Sequence, residues 1–167
     1  MTQNTVSKVG TMVFWTLVLG ALVAVIALVT HESLKAGAAR GADPGDPKRA
    51  QRGRAVYDTH CAVCHGAQLE GQANWGTRLP NGRMPAPPHD ASGHTWHHPD
   101  AVLFGITKHG LVPGKYAPPG YQSDMPAFGG TLSDDDIWAV LAYIKSRWPG
   151  EIQRRQLEID RNARAPR

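Results

Sequence analysis

This sequence contains little cysteine: the chain of 167 residues has two, Cys61 and Cys64. One pair of thiols cannot complete a structural zinc site, which usually needs a second pair of ligands at a defined spacing. Runs that alternate between apolar and polar residues are also lacking, and the 13 prolines and 18 glycines interrupt any long β segment. A thioredoxin-like redox motif, which belongs in a βαβ context, is therefore not expected.

Charge is absent from one long apolar run, residues 9–30. As a helix this run rises roughly 33 Å, which is enough to cross the hydrocarbon core of a bilayer. We therefore interpret residues 1–30 as a single N-terminal transmembrane anchor. The alternative is a cleaved secretory signal ending near the small residues 36–38, but the apolar core of such a signal is shorter, about 7 to 15 residues.

The remaining sequence shows no internal repeat, no glycine-rich phosphate loop and no basic stripe interleaved with aromatic residues. The net charge of +4 is spread over several segments, so nucleic-acid binding is not expected. Residues 31–47 are rich in Ala, Gly and Pro, which predicts a flexible linker. A folded domain is predicted for residues 48–149, followed by a polar C-terminal tail over 150–167, either a solvated helix or a frayed end.

What the sequence does contain is "CAVCH", in which His65 directly follows Cys64. This spacing is the signature of covalent haem attachment, in which two thiols add to the vinyl groups and the imidazole coordinates iron. We predict one covalently bound haem c, attached at Cys61 and Cys64 with His65 as an axial ligand. Attachment of this type implies an extracytoplasmic domain and an N-terminus inside, an orientation that the charges flanking the apolar run leave open.

The second axial position of the iron decides the function: a methionine ligand raises the reduction potential, whereas a second histidine or an open site would suggest different functions. We therefore consider the methionines first. Met1 is the initiator and Met12 lies in the apolar run, which leaves Met84 and Met125. We predict Met125, because it follows a Gly- and Pro-rich loop, precedes a helical pattern and is held by Pro126. Met84 is the alternative, and an ordinary core methionine is the other interpretation of Met125.

Three further segments have helical patterns. The first begins near Pro47, a favourable first-turn residue, and extends to about residue 59; the second covers about 99–109. The third has Ser133 as N-cap, three acidic residues in its first turn, and an apolar repeat that ends before Pro149. That repeat consists of Ile137, Val140, Leu141 and Ile144.

Residues 53–66, which end in "YDTHCAVCHG", and the segment "SDMPAFGGTLSDDDIWAVLAYIKSRW" together resemble a class I c-type cytochrome, of the membrane-anchored monohaem bacterial kind. The resemblance covers residues 48–148 and implies an all-α fold of three to four helices wrapped around the haem. It also implies that Gly53 and Tyr57 pack against Tyr143 where the first and last helices of the domain cross.

The resemblance further implies contacts that hold the haem and its ligand. A proline carbonyl accepts the free N–H of the ligand histidine in related proteins. The candidates are Pro85, Pro87 and Pro88, of which we favour Pro87. Aromatic donors commonly hold the propionates, and we predict Trp96 and Tyr121 for this role. Trp75 is also available, and each of the three is equally interpretable as ordinary core.

Histidine is concentrated between Met84 and Gly110, where five of the eight histidines lie: His89, His94, His97, His98 and His109. One interpretation is a second metal site for copper, which imidazole and thioether ligands suit. Because the spacing is irregular, we favour the other interpretation, that these residues satisfy local turns and line the propionate side of the haem.

The predicted function is one-electron transfer without enzymatic catalysis, since His65 and Met125 would saturate the iron. The protein would shuttle electrons between respiratory or similar complexes in the periplasm, tethered to the bacterial inner membrane. By resemblance its partners are a quinol-oxidising cytochrome bc complex and a terminal oxidase or dehydrogenase. Basic residues would steer these encounters. The candidates are Arg54, Lys108 and Lys115.

Three alternatives remain for the function. The first is a fixed haem subunit of a dehydrogenase or oxidase complex. The second is a copper-handling cytochrome that uses the histidine-rich loop, and the third is a haem enzyme or gas sensor with an exchangeable axial site.

Overall fold

A computed structural model describes residues 3–38 and 41–165, and these residues form helices and loops with no strand. The helices follow in the order α1 (Gln3–Ala38), α2 (Pro47–His60), α3 (Ala62–His65), a short 3-10 helix (Thr95–His97), α4 (Asp100–His109), α5 (Asp134–Ser146) and α6 (Gly150–Arg164). The prediction of an all-α fold is confirmed. The chain divides into two compact units, one containing α1 and the other containing the remaining helices.

Helix α1 contains the apolar run. Within it, Gly10–Thr30 has a mean hydropathy of 2.7 and its side chains are not buried by the protein. Its length and composition suit a membrane span, although an N-terminal signal sequence meets the same criteria. The helix continues to Ala38, so the first part of the segment predicted to be a flexible linker is helical. Residues 31–38 contain no proline, and their alanines, Ala36 and Ala38, favour a helix more than any other residue does.

The segment that leads into α2 is packed against the domain. Ala42 is 2% exposed and belongs to the core, and Arg49 donates a hydrogen bond from Nη1 to the carbonyl of Gly41 at 2.8 Å. Asp46 then caps α2 by accepting from the backbone N–H groups of Lys48 and Arg49. The structure therefore differs from the predicted linker at this end as well. The side chain of Ala42 is buried in the core, whereas the composition of this segment predicts only a flexible chain.

Helix α5 forms the centre of the domain. Ser133 accepts from the N–H of Asp136, and the acidic first turn opposes the positive end of the helix dipole, as the sequence predicts. Its apolar residues divide between two clusters of buried side chains. One cluster consists of Ala42, Leu103, Leu132, Ile137, Leu141 and Ala142, and the other of Tyr57, Leu69, Val140, Ile144 and Trp148.

Helix α2 crosses α5 at close range, through Gly53. A Cβ atom on Gly53 would lie 1.9 Å from the carbonyl oxygen of Ala139 and 2.9 Å from Cβ of Tyr143. The rings of Tyr57 and Tyr143 lie 5.5 Å apart beside this crossing. The predicted contact between glycine, tyrosine and the facing helix is confirmed. It brings the C-terminal end of α2, where the Cys-x-x-Cys-His motif begins, against the core.

Helix α6 is packed on the domain, in contrast to the solvated or frayed tail that the sequence suggests. Gln156 is 0% exposed and Asp160 is 5% exposed. Burial of a helix is usually predicted from a stripe of apolar residues. Here the two buried positions are occupied by polar residues, so that signal is missing. Their partners are the backbone and side chain of Asp100 in α4 and the carbonyl of His98, which the sequence alone does not place beside them.

Candidate functional site

The Cys-x-x-Cys-His motif turns sharply between two helices. Cys61 follows the last residue of α2, and its N–H still donates to the carbonyl of Tyr57 at 2.8 Å. The next four residues form α3, which ends at His65. The buried hydroxyl of Tyr57 donates to the carbonyl of Gly66 at 2.9 Å, fixing the end of this turn to α2. The two thiols and the imidazole are thereby held on one compact unit.

These three groups line one cavity of about 290 Å³, near the lower end of the size range of small-molecule sites. Met84, Met125 and Tyr121 line the same cavity. The rest of the lining is mainly apolar and comes largely from α4, α5 and the proline-rich loop, including Leu103, Ile106, Leu141, Ile144, Pro85 and Pro87. Two free thiols, an imidazole and two thioethers around an apolar space fit a covalently attached haem.

The orientation of His65 is set by a single hydrogen bond. The ring is buried, and Nδ1 lies 2.8 Å from the carbonyl oxygen of Pro87. Since a carbonyl only accepts, Nδ1 carries the proton and the neutral ring keeps its lone pair on Nε2. Burial lowers the pKa of His65, and the bond to Pro87 partly opposes this. Among the three candidate prolines, Pro87 makes the expected contact.

Gly71 permits the close approach of the proline segment, and sequence reasoning missed it. Its φ is 68°, and a Cβ atom there would lie 2.4 Å from the backbone nitrogen of Pro88. Its N–H also donates to the carbonyl of His65 at 2.8 Å. Any larger residue would push the Pro87 carbonyl away from the imidazole. Nothing in the local sequence distinguishes this glycine from the others, because the contact joins segments that are separate in the chain.

Cys61 does not have the character of a reactive redox thiol. Burial, followed by the neighbouring Cys64, raises the pKa of Cys61 to about 11. A reactive Cys-x-x-Cys motif instead lowers the pKa of one cysteine so that it attacks as a thiolate. The raised pKa agrees with the sequence analysis, in which a thioredoxin-like redox motif is not expected.

The two candidate methionines lie on adjacent segments. Met84 donates from its N–H to the carbonyl of Gln122 at 2.9 Å and pairs with Ser123, two residues before Met125. Arg83 joins the same segments through Asp124, at 2.5 Å. Both thioethers therefore reach the cavity, and its lining does not by itself select one of them. Met125 as the axial ligand stays a prediction.

Several of the clustered histidines belong to this site. His89 stacks on the ring of His65, with centroids 3.9 Å apart, and its Nδ1 bonds to the hydroxyl of Thr95 at 2.8 Å. Burial, and then the adjacent His65 and His94, holds the pKa of His89 well below its usual value. His94 and His98 also line the cavity.

A second metal site finds no support here. Among the described residues, no three histidine, cysteine or carboxylate side chains are grouped closely enough to hold a metal ion. The arrangement instead favours the interpretation in which histidines line the haem site.

The two predicted aromatic donors lie in different places. Tyr121 lines the cavity, whereas Trp96 is not part of its lining. The Trp96 ring stacks on His97, with centroids 3.7 Å apart, and the guanidinium of Arg155 lies 5.1 Å from its centroid. Its buried Nε1 has no hydrogen-bond partner among the described residues. The propionate role of both aromatic residues stays a prediction. Trp75, the third candidate, stacks on His94 at 5.4 Å.

The basic residues expected to steer partners are less available than their charges suggest. Arg54 lies 3.6 Å from Asp58, and Lys108 lies 2.6 Å from Asp134. The Lys115 ammonium lies over the Tyr116 ring at 4.9 Å. Exposed ion pairs are weak, but the carboxylates beside Arg54 and Lys108 reduce the net positive field that a partner would meet, whereas Lys115 keeps its full charge.

Comparison with known proteins gives one match. The family model described as Cytochrome c matches residues 50–148, which is more than half of the chain. The matched region contains the thiols, the imidazole and both candidate methionines that line the cavity. No curated protein and no solved structure matches the chain.

Proposed function

Because the chain belongs to the cytochrome c family and therefore binds haem c covalently, we propose that it is a membrane-tethered one-electron carrier with His65 and Met125 as axial ligands. The bound haem supplies the redox chemistry, an iron that alternates between ferric and ferrous states. Members of this family are typically electron carriers that interact with redox partners. The residues of this chain that support the finer proposal are those that converge on the cavity.

The observation that carries the proposal is this convergence on one apolar cavity. Cys61 and Cys64 would hold the haem through its vinyl groups, and His65 presents Nε2 because Pro87 fixes the proton on Nδ1. The Tyr57 hydroxyl and Gly71 keep this turn in place. A rigid ligand set reduces the rearrangement that accompanies a change of iron charge, which suits electron transfer.

Two ligands leave no open position on the iron, which is why we propose a carrier and not an oxygen-activating enzyme or a gas sensor. Met125 is favoured over Met84 because it lies directly before Pro126, in the loop that leads to α5. Both thioethers remain close to the site, so a direct test between them is needed.

The proposed location is the periplasmic face of a bacterial inner membrane, with α1 as the anchor. The length and hydropathy of Gly10–Thr30 support this, and covalent haem attachment supports an extracytoplasmic domain. A short segment between anchor and domain would keep the haem near the membrane and raise its effective concentration at membrane complexes. The proposed partners are a quinol-oxidising cytochrome bc complex and a terminal oxidase or dehydrogenase.

A redox-titrated absorption spectrum of the purified holoprotein tests the ligand assignment. We expect one haem and a methionine–iron charge-transfer band in the oxidised form. The variant Met125→Ala should lose this band, lower the reduction potential and bind carbon monoxide rapidly when reduced. Met84→Ala is the matched control, since it removes a thioether from the same cavity, and it should retain the band.

The opposite pattern, in which Met84→Ala loses the band and Met125→Ala keeps it, would assign the ligand to Met84. Rapid binding of carbon monoxide by the unaltered ferrous protein would contradict the carrier proposal, because it requires an exchangeable axial position.

A further inference from the structure

The C-terminal helix α6 contacts the segment whose histidines line the cavity, and Gln156 makes the central contact. Its side chain is fully buried. Its Nε2 donates to the backbone carbonyl of His98 at 3.2 Å and to Oδ1 of Asp100 at 2.8 Å. One side chain therefore holds the chain on both sides of Pro99.

The Asp100 end of this contact is rigidly fixed. Lys145 of α5 lies 2.7 Å and 3.0 Å from the two carboxylate oxygens of Asp100. The N–H of Asp100 donates to Oδ1 of Asp160 at 3.0 Å, and Asp160 also pairs with Arg164 at 2.6 Å. Buried charges of this kind tolerate little displacement, because a shift leaves a charge without its partner. Gln156 is thus anchored to α4 and α5, and from there it reaches His98.

On its other side, the histidine segment forms part of the cavity wall. The side chains of His94 and His98 line the cavity, and their rings meet edge to face with centroids 5.5 Å apart. The carbonyl that Gln156 holds belongs to His98 itself. A displacement of this carbonyl therefore moves an imidazole at the cavity without any change in the ligands.

We propose that Gln156 is a positioning residue that holds His98 against the haem cavity and thereby sets the reduction potential of the iron. The inference rests on the proposed function, since it requires haem in this cavity. Hydrogen bonding and access of water around a haem are among the factors that set its potential. Gln156 does not line the cavity, so its effect passes through His98.

The test is the reduction potential of the full-length holoprotein carrying Gln156→Met, measured near pH 8, where the lowered pKa values of His94 and His98 keep both rings neutral. Methionine keeps the length of the side chain and removes both hydrogen bonds. We expect the methionine–iron band to remain and the potential to fall, because displacement of the His98 imidazole opens the cavity wall to water, which favours the ferric charge. Gln153→Met is the matched control. Gln153 lies on the same helix and donates to the carbonyl of Trp148 at 3.0 Å. The Gln153→Met variant should therefore have the same reduction potential as the unaltered protein.

A second measurement separates positioning from a general loss of stability. In a His98→Asn background, Gln156→Met should no longer shift the potential, because the imidazole through which it acts is gone. If Gln156→Met does not fold, Gln156→Asn replaces it with the same expectations, since the shorter amide cannot span both acceptors.

An unchanged potential in the Gln156 variant overturns the inference, and so does a shift that persists in full without His98. These results leave the proposed function standing, provided that the unaltered protein shows the methionine band. Absence of that band, or rapid carbon monoxide binding by the unaltered protein, would instead overturn the proposed function and this inference with it.

Discussion

Replacing Gly53 by alanine tests how closely α2 must approach α5. The added Cβ would lie 1.9 Å from the carbonyl oxygen of Ala139 and 2.4 Å from its carbon. Ordinary contact begins near 3.4 Å, so the helices would have to separate locally by about 1.5 Å. Backbone atoms cannot rotate away as a flexible side chain does, so the separation must spread through the crossing.

The expected effect is a net loss of about 2 kcal/mol in the free energy of unfolding. Overpacking a well-packed contact costs about 1–3 kcal/mol, and the upper part of that range applies because the clash is with backbone. Alanine regains up to about 1 kcal/mol through its higher helix propensity. For a domain of this size, such a loss lowers the melting temperature on the order of 8 °C.

Urea denaturation of the holoprotein, followed by far-ultraviolet circular dichroism, measures this loss. Gly150→Ala is the matched control, because Gly150 is also in a helix and its added Cβ would lie 3.5 Å from the nearest atom, the Nη1 of Arg154. The control should be as stable as the unaltered protein or slightly more stable. Equal stability of Gly53→Ala and the unaltered protein would refute the reasoning, since it would mean that the crossing has room for a methyl group.

Two further predictions concern buried and titrating charges. Lys145→Met should lower the free energy of unfolding by about 3 kcal/mol, because it leaves the buried carboxylate of Asp100 without its main counter-charge, and Asp100→Asn in the same chain should restore part of the loss. Urea denaturation measures both variants, and fully additive losses would contradict the pairing. The reduction potential should rise as the pH falls below 6.5, because protonated His94 and His98 at the cavity favour the ferrous state. Burial, and then the neighbouring imidazoles including His97, lowers the pKa of His94 and His98. The reduction potential should therefore begin to rise only at a pH below 6.5, the usual pKa of histidine. The double variant His94→Gln and His98→Gln should give a flatter redox titration, and an equal pH dependence in both proteins would contradict the assignment.

Short-range patterns predicted most of the helical scaffold. The cap at Ser133 acts within three residues of its side chain, so the local sequence suffices to locate it. The apolar repeat of α5 likewise predicts which of its residues are buried. The attachment motif identifies the cofactor for the same reason, since both thiols and the imidazole lie within five consecutive positions.

Composition was a poor guide for the segments outside the repeat. The Ala- and Gly-rich stretch after residue 30 continues as helix, and Ala42 enters the core. The C-terminal helix is buried through Gln156 and Asp160, so an apolar stripe does not reveal it. For Ala42 and Gln156 the deciding contact is with a residue far away in the chain.

The covalent haem, the helical scaffold and the apolar N-terminal run are readable from the sequence, because each depends on residues that are close together in the chain. The contact in which Pro87 accepts from His65, the close approach that Gly71 permits, and the placement of both methionines at one cavity arise only when the domain folds. The contact of Gln156 in the last helix with the histidine segment arises in the same way. The Pro87 and Gln156 contacts join residues separated by 22 and 58 positions along the chain, and packing of the whole domain alone brings them together.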